Sequence, residues 1–186
     1  MISAAITDKG KFEADQFVIA AGSWLPVLTK MVGIKLLLQP GKGYSYTYND
    51  VPKNIKHPAI LVDGRCAITP WGKELRIGGT MEFSGLNNKV LPQRMKGIYN
   101  SVKDCYPGLK IDLPPADKIW HGLRPVTPDG LPFISRHHAF KNLVIAGGHA
   151  MLGISQGTGT GKIVSELIQN TTTCIDISAF KVERFG

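Results

Sequence analysis

The sequence predicts a mixed α/β protein in which an antiparallel β-sheet unit is inserted into an α/β segment. Continuous apolar runs that end in glycine lie near both ends of the chain, at residues 17–22 and 143–148, and such runs are typical of strands covered on both faces. Between them, short apolar stretches alternate with turn residues, which predicts an antiparallel meander. The 186 residues are 43% hydrophobic, enough for a buried core. We assign residues 1–39 and 123–186 to one domain and residues 40–122 to the inserted domain.

The first forty residues predict a strand, a turn, a second strand and a short helix. The first strand covers residues 2–6, the turn is Asp8-Lys9-Gly10, and Phe12 leads into the apolar run 17–21, which predicts a strand in the middle of a parallel or mixed sheet. Ser23 has the side chain of a helix N-cap, and Gly33 is expected to end that helix. A further strand is predicted at residues 34–38. The helix is expected to bury four apolar side chains: Trp24, Leu25, Val27 and Leu28.

The middle of the chain predicts short antiparallel strands followed by one amphipathic helix. Tyr44, Tyr46 and Tyr48 recur at period two, as in a strand with one buried face. Further strands are predicted at residues 59–62, 66–69 and 74–77. Pro92 suits the first turn of a helix, which Pro107-Gly108 ends. The helix is expected to bury the face formed by Leu91, Met95, Ile98, Val102 and Cys105.

The last third returns to the α/β pattern. An apolar strand at residues 143–146 runs into a pair of glycines, and a helix with a second apolar face follows. That face is formed by Ile163, Val164, Leu167 and Ile168.

A glycine-rich run, Gly157–Lys162, lies between this strand and the apolar helix face. It resembles a phosphate-binding loop, but Gln156 and Ile163 stand where that motif needs Gly and Ser or Thr. Lys162 also occupies the last glycine position of the dinucleotide-binding fingerprint. We therefore interpret the run as the entry to a helix N-terminus, whose amides and dipole favour a negative or electron-rich ligand edge.

Charge and cysteine content limit the function classes. The net charge of +8 comes from 22 Lys and Arg against 14 Asp and Glu, but the basic residues are scattered, which predicts a solvated surface and no nucleic-acid site. The three cysteines form no C-x-x-C pair and predict neither a disulfide framework nor a cysteine zinc site. No run approaches the roughly 20 apolar residues of a membrane helix, and no secretory signal is present. We expect a cytoplasmic protein, with peripheral contact at the inner face of the membrane left open.

Several apolar stretches end in small residues. They are Ala20-Ala21-Gly22, Gly78-Gly79-Thr80 and Ala146-Gly147-Gly148-His149. Glycines at strand ends let the backbone approach a ligand closely, and open α/β sheets bind ligands at the carboxyl ends of their strands. A tight turn explains any one of these stretches equally well, but the three together favour a ligand site.

One arginine and three histidines are candidate functional residues. Pro125 restricts Arg124 to extended backbone, and a guanidinium fork in a fixed direction suits a carboxylate. Stacking on Trp120 or pairing with Asp129 would explain Arg124 equally well. His149 is interpreted as a structural histidine. His137 and His138 lie in a polar turn without a third ligand at metal spacing, so they are assigned to the surface and no metal site is predicted.

Taken together, these regions resemble the family of FAD-dependent amine oxidoreductases that includes D-amino acid dehydrogenase, glycine oxidase and D-amino acid oxidase. The resemblance spans nearly the whole chain. It rests on the segments Ala14–Trp24, Pro40–Tyr44, Arg76–Thr80, Gly122–Gly130 and Ala146–His149. The Gly-Leu-Arg-Pro segment followed about twenty residues later by the Gly-His strand end is the most specific of these features. The Ala-Ala-Gly turn is shared by many flavoproteins.

The resemblance implies FAD as cofactor and a small amino acid as substrate. In that family the arginine of Gly-Leu-Arg-Pro, here Arg124, holds the substrate carboxylate, and the α-carbon transfers a hydride to the flavin. The loop after the last strand would lie along the flavin ring. Its residues are Gly148, His149, Met151, Leu152, Gly153 and Ile154, and the Ala-Ala-Gly turn adds Ala21, Gly22 and Trp24. Tyr44 and Tyr46 would line the site from the inserted sheet, although tyrosines at period two pack equally often against a neighbouring strand.

One departure from the family pattern separates two hypotheses. Family members open with a strand, a G-x-G-x-x-G turn and a helix that bind the pyrophosphate, and this sequence has none of them. The chain therefore resembles the carboxyl-terminal part of a flavin-binding Rossmann-like domain with its inserted substrate domain. It is expected to hold an incomplete FAD site and to turn over little substrate alone. The alternative is a non-catalytic chain, or a subunit that needs a separate dinucleotide-binding polypeptide or a second copy of itself.

Overall fold

The computed structural model describes residues 1–52 and 54–185. The chain divides into two compact units: unit 1 is Met1–Pro40 with Arg124–Gly186, and unit 2 is Gly41–Leu123. The mixed α/β class with antiparallel sheets is confirmed. The flavin and substrate roles expected of the two parts stay predictions.

The described elements alternate strands with three helices. In chain order they are β1 (Ala4–Thr7), β2 (Gly10–Glu13), β3 (Phe17–Ile19), α1 (Leu25–Lys30), β4 (Gln39–Tyr48), β5 (Ala59–Leu61), β6 (Cys66–Trp71), β7 (Glu74–Glu82), α2 (Pro92–Cys105), β8 (Trp120–Val126), β9 (Phe133–His137), β10 (Phe140–Gly147) and α3 (Gly153–Gln169). Short 3-10 turns lie at Gly22–Trp24, Ala116–Lys118 and Ser178–Phe180. None of the described helices is long and apolar enough to cross a membrane.

Unit 1 is built on a three-stranded sheet with the order β3-β10-β9. β10 pairs in parallel with β3 and antiparallel with β9. β1 and β2 pair across the predicted turn, but the second strand expected from Phe12 into residues 17–21 is divided into β2 and β3. The buried face packs Leu25, Phe133, Leu143 and Ile145 into one core. The parallel pair places the carboxyl ends of β3 and β10 side by side, since Ile19 lies opposite Ile145.

The prediction of a central strand at residues 17–21 is wrong for the described residues. β3 is the edge strand of its sheet, and Val18 is 42% exposed, whereas β10 is central and buried on both faces. An apolar run shows that a strand is suited to burial, but not which neighbour covers it.

The short helix of unit 1 also differs from the prediction. Ser23 lies inside the 3-10 turn that precedes α1, and no side chain caps α1, whose N-cap is Trp24. Of its four expected core residues only Leu25 is buried, while Val27 and Leu28 are exposed along with Trp24. The chain bends at Gly22, which has φ +54°, and this turn directs Leu25 inward.

No strand forms at residues 34–38, contrary to the prediction. The segment is irregular, yet it buries alternate side chains, Ile34, Leu36 and Leu38. Extended backbone gives this alternation whether or not a neighbouring strand supplies a hydrogen-bonded ladder.

Unit 2 contains the predicted meander and helix. Its strands belong to a sheet of order β5-β6-β7-β4-β8, and the β6–β7 hairpin turns at Gly72. On α2, Met95, Ile98 and Val102 are buried as predicted, whereas Leu91 and Cys105 at its two ends are exposed. The core gathers Ile68, Leu75 and Ile77 of the sheet against that helix face.

The Gly78-Gly79 pair is not a strand end, contrary to its interpretation from the sequence. Both glycines lie inside β7. A Cβ on Gly78 would lie 2.9 Å from the Ser45 Cβ, and one on Gly79 would lie 2.6 Å from the Arg65 carbonyl oxygen. The glycines therefore allow close packing within unit 2, and they form neither the predicted strand end nor the tight turn considered as its alternative.

Unit 2 also encloses a charged pair that the sequence did not predict. The ammonium of Lys42 is fully buried, 3.6 Å from Glu82 Oε1. It donates hydrogen bonds to Asn87 Oδ1 at 2.6 Å and to the Lys89 carbonyl at 2.8 Å, and Tyr44 donates its hydroxyl to Glu82 Oε2 at 2.6 Å. Such a network fixes the segment after β7 against β4, because each buried polar group has a partner.

Candidate active site

Arg124 lies near the end of β8, where the strand passes into unit 1. The following proline fixes the backbone direction of this residue. The side chain is half-buried, and burial lowers the pKa of the Arg124 guanidinium from its ordinary value. The cation has therefore lost part of its water, and a carboxylate that reaches it is bound more strongly than in solvent.

The two alternative partners of Arg124 are engaged by other arginines. Asp129 accepts hydrogen bonds from Arg184 at both oxygens, from Nε at 2.7 Å and from an NH2 group at 3.0 Å. Over the Trp120 ring, the cation is that of Arg76, 5.4 Å from the ring centroid. Asp129 is thus bound by Arg184 and Trp120 is stacked with Arg76, while the carboxylate-binding role of Arg124 stays a prediction.

The turn after β10 lies directly beside the strand that carries Arg124. The Ala150 N–H donates to the Pro125 carbonyl at 2.9 Å, and Val126 forms a β-bridge with His149. Gly148 is required at this point: its φ is +88°, and a Cβ would lie 2.8 Å from the Thr127 methyl group. The structure therefore brings together the two parts of the sequence that carry the most specific resemblance.

His149 has a structural partner. Its Nε2 lies 2.8 Å from Thr160 Oγ1 on α3, and burial lowers the pKa of His149 from its ordinary value. A neutral, hydrogen-bonded imidazole that links the turn to α3 agrees with the structural interpretation made from the sequence.

The residues after His149 form an exposed apolar surface. Met151 is 69% exposed and Ile154 is 98% exposed, and Leu152 beside them is the N-cap of α3. The run Gly157–Lys162 was expected to be the entry to this helix, but it lies inside α3, which begins at Gly153. The exposed first residues of α3 therefore follow the turn at His149 and Ala150 directly in the sequence.

The Ala-Ala-Gly turn lies at the same edge of the sheet. Ala21 follows β3 just as Gly147 ends β10, and a Cβ on Gly147 would lie 3.0 Å from Leu25 Cδ2. Gly22 has φ +54° and open space around it, and Trp24 is exposed. The predicted cofactor residues therefore gather at the carboxyl ends of two parallel strands, the position where open α/β sheets bind ligands.

Tyr44 and Tyr46 lie in unit 2, on β4, and their surroundings favour packing over a site-lining role. Tyr44 is buried, and its hydroxyl also accepts a hydrogen bond from the Leu91 N–H at 3.3 Å. Tyr46 packs against the same core and meets Tyr48 edge-on, with ring centroids 4.7 Å apart.

Sequence reasoning missed two groups of polar residues. Lys42 was noted only as part of a motif. His137 was assigned to the surface, but its side chain is only 12% exposed, and Glu183 lies beside it and His138. Contacts between residues 45 positions apart leave no local signal in a sequence.

Comparison with known proteins identifies relatives over the whole chain. The family model described as "FAD dependent oxidoreductase" (DAO) matches residues 2–167. The chain is 37% identical over its whole length to a D-amino acid dehydrogenase of Allorhizobium ampelinum, and 35% identical to one of Rhizobium rhizogenes. It covers 44% of each of these proteins, and so spans less than half of their length.

Solved structures share the fold. Glycine oxidase from Geobacillus kaustophilus matches with a TM-score of 0.80 and 26% identity, over 98% of this chain and 49% of that one. L-proline dehydrogenase from P. horikoshii matches with a TM-score of 0.82 and 21% identity, over 98% of this chain and 50% of that one, a likeness of fold.

Proposed function

The chain belongs to the FAD-dependent oxidoreductase family, and from that premise we propose that it forms the substrate-holding part of an enzyme that oxidises the C–N bond of a D-amino acid or a related amine. The observation that carries the proposal is the pair of backbone contacts that join Pro125 and Val126 to the turn at His149 and Ala150. These contacts hold the strand of Arg124 beside the exposed turn where a flavin ring would lie.

Arg124 is proposed to bind and orient the substrate carboxylate. Its backbone is fixed by the following proline and by the turn, so the guanidinium is directed before substrate arrives. Two parallel hydrogen bonds from one guanidinium would define the carboxylate plane and thereby the direction of the α-carbon.

The edge of the sheet in unit 1 suits a flavin. Its backbone bends at Gly22 and Gly148, which both have positive φ, Gly22 leaves open space beside it, and Met151 and Ile154 offer exposed apolar area. We propose that these residues, with Ala21, Trp24, His149, Leu152 and Gly153, contact the ring system of FAD. When bound, the flavin supplies a hydride acceptor, and the protein supplies orientation.

We propose that a further polypeptide segment with a dinucleotide-binding fold completes the site. Its docking surface would be the edge of β3 and the first turns of α3. Among the described residues, β3 pairs with β10 alone, and residues 151–159 are exposed on every side. Relatives that are more than twice as long as this chain support this proposal.

A split-protein experiment tests these proposals. The chain would be purified alone and together with the remaining segment of the Allorhizobium relative, and each sample scanned for flavin absorbance and assayed with D-amino acids and a dye acceptor. We expect little flavin and little turnover for the chain alone, and a yellow, active complex for the pair. A colourless, inactive pair would favour the alternative of a non-catalytic chain.

The same complex tests Arg124. Arg124→Ala is expected to raise KM and to reduce kcat/KM by about 2 to 4 kcal/mol of transition-state binding, the range for removing one partner of a buried charge pair. Arg94→Ala, at an exposed position of α2 in unit 2, is the matched control and should leave the kinetics unchanged. Unchanged kinetics for Arg124→Ala would refute its assignment.

We further propose that the protein resides in the cytoplasm, with weak contact to the inner membrane face. The net charge of +8 supports attraction to anionic headgroups. Flotation with vesicles that contain phosphatidylserine should carry more protein than neutral vesicles do, and high salt should abolish the difference. Equal flotation would remove the membrane contact from the proposal.

A further inference from the structure

Two histidines and a carboxylate lie close together in unit 1. None of the three is among the residues that we propose to contact flavin. His137 ends β9, His138 begins the turn to β10, and Glu183 lies in the C-terminal segment. His138 Nδ1 lies 3.0 Å from Glu183 Oε1, and His137 Nε2 lies 3.9 Å from the same oxygen. One potential ligand atom from each residue lies within 4.8 Å of the others.

The carboxylate is held in place from both sides. The Val182 N–H donates to the Ser135 hydroxyl at 3.0 Å, and the Arg184 guanidinium is bound by Asp129. The His138 backbone N–H also donates to Glu183 Oε1 at 2.9 Å. The C-terminal segment therefore presents Glu183 to the histidines with little freedom left to lose on binding.

We propose that His137, His138 and Glu183 form a binding site for a divalent transition-metal ion of the zinc class. Two imidazole nitrogens and one carboxylate are a ligand set that Zn²⁺ accepts, with water at the fourth position. Bonds of about 2.1 Å separate neighbouring tetrahedral ligands by about 3.4 Å, which is close to the observed spacing. The two imidazole rings are stacked with centroids 4.5 Å apart, so the exposed His138 ring has to rotate for both nitrogens to face one ion. The ion would join the β9–β10 turn to the C-terminal segment.

An ion at this site takes the ring nitrogens that face Glu183, so a proton on such a nitrogen moves to the other nitrogen of the same ring. For His138 that nitrogen is Nε2, which is open to water because the side chain is 75% exposed. For His137 it is Nδ1, which gives up its 3.2 Å contact with the Ala139 N–H. The cost is this contact together with the 3.0 Å hydrogen bond between His138 Nδ1 and Glu183 Oε1, which bonds to the ion replace.

Calorimetric titration with ZnCl₂ tests the site on the full chain. The exposed thiols Cys105 and Cys174 would be replaced by serine in every sample, so that a thiolate cannot supply the binding. We expect one saturable site per chain, absent in a titration with MgCl₂ because Mg²⁺ prefers oxygen ligands. His138→Ala and Glu183→Gln should each weaken zinc binding at least about tenfold, a loss of about 1.4 kcal/mol.

His57→Ala is the matched control, since His57 is exposed and lies in unit 2. It should leave zinc binding unchanged. Circular dichroism and the melting temperature without metal establish that each variant folds, and a rise in melting temperature with ZnCl₂ should occur in the control and disappear in His138→Ala. The proposal is overturned if the parent chain shows no saturable binding, if Mg²⁺ binds as well as Zn²⁺, or if His138→Ala and Glu183→Gln bind zinc as the parent does. These results need no flavin, so they stand or fall apart from the proposed oxidase chemistry.

Discussion

The two units treat their charged and small residues in opposite ways. Unit 2 buries a lysine and a glutamate, Lys42 and Glu82, and packs Gly78 and Gly79 against neighbouring strands. Unit 1 leaves the first turns of α3 exposed on every side and surrounds their glycines with open space. Unit 2 thus pairs its buried charges internally, whereas the first turns of α3 in unit 1 form an exposed apolar surface suited to contact with another molecule.

The exposed surface of unit 1 explains why the same residue types have different roles in the two units. On β7 of unit 2, Gly78 and Gly79 are required because a side chain would collide with its neighbours. In the first half of α3, three glycines reduce helix stability without any packing need inside the described chain. Glycines at exposed positions of a helix let another molecule approach the backbone closely. Their presence here is therefore consistent with contact between α3 and a ligand or partner.

The largest expected difference between the units concerns ion pairs. Lys42→Met removes one partner of the fully buried pair and should lower the free energy of unfolding by about 3 to 5 kcal/mol, because Glu82 stays buried without its cation. Lys162→Ala removes the matched exposed pair on α3, where the Lys162 side chain is 64% exposed and its ammonium lies 3.8 Å from the Glu166 carboxylate. This substitution should change the free energy of unfolding by about 0.5 kcal/mol or less. Urea unfolding at pH 7 measures both.

If the two lysine variants unfold at the same urea concentration, the contrast between a closed unit 2 and an open unit 1 fails. The double variant Lys42→Met with Glu82→Gln serves as a further control. It should recover part of the loss, since no uncompensated charge is then left in the core.

A smaller difference is expected when alanine replaces glycine. Gly79→Ala places a Cβ 2.6 Å from the Arg65 carbonyl oxygen and 2.8 Å from the Cys66 Cβ, and should cost about 1 to 3 kcal/mol. Gly159→Ala on α3 meets nothing within 4 Å and should stabilise the chain by about 0.5 to 1 kcal/mol. Thermal and urea unfolding should therefore shift in opposite directions, and a shift in the same direction would contradict the contrast.

The sequence predicted the elements whose signals are local. The meander of unit 2 and the buried face of α2 follow from alternation and helical spacing, and Met95, Ile98 and Val102 are buried as expected. The start of α3 was missed because its glycines oppose helix propensity, so the run from Gly157 was interpreted as a loop. The strand at 34–38 was predicted from an alternation that irregular extended backbone shares.

The candidate site was predictable where a motif carried it. Proline after Arg124 and glycine at 148 mark rigid backbone, and the structure places their strands side by side. Lys42 and Tyr44 lie two positions apart on β4 and are both buried, as alternation predicts for residues on one face, but alternation does not show that the buried lysine has Glu82 as its partner. The partners Glu183 and Arg184 reach their sites from the far end of the chain, and no local pattern indicates such contacts.

The smallest expected effect belongs to the clamp that holds the C-terminal segment of unit 1. Hydrogen bonds from Arg184 lower the pKa of Asp129 to about 2, below the ordinary value of about 3.9 for an unfolded chain. Asp129 therefore stabilises the folded state fully above about pH 4, and this contribution is lost as the pH falls through about 2. Asp129→Asn should cost about 1 kcal/mol at pH 7, since the pair is partly exposed.

The difference in the free energy of unfolding between the parent chain and Asp129→Asn should shrink as the pH falls from 4 to 2. Protonation then removes the negative charge of Asp129 from the parent chain, and the variant lacks that charge at every pH. Urea unfolding at several pH values measures this difference directly. Glu82 in unit 2 is the internal control, because Asp129→Asn leaves the hydrogen bonds of Glu82 intact. The pH dependence of the free energy of unfolding that remains in the variant therefore comes from carboxylates other than Asp129. A difference that stays constant down to pH 2 would mean that Arg184 does not depend on the Asp129 charge. The C-terminal segment would then be held by the stacking of Arg184, 4.1 Å from the Phe133 ring centroid and 4.7 Å from that of Phe185.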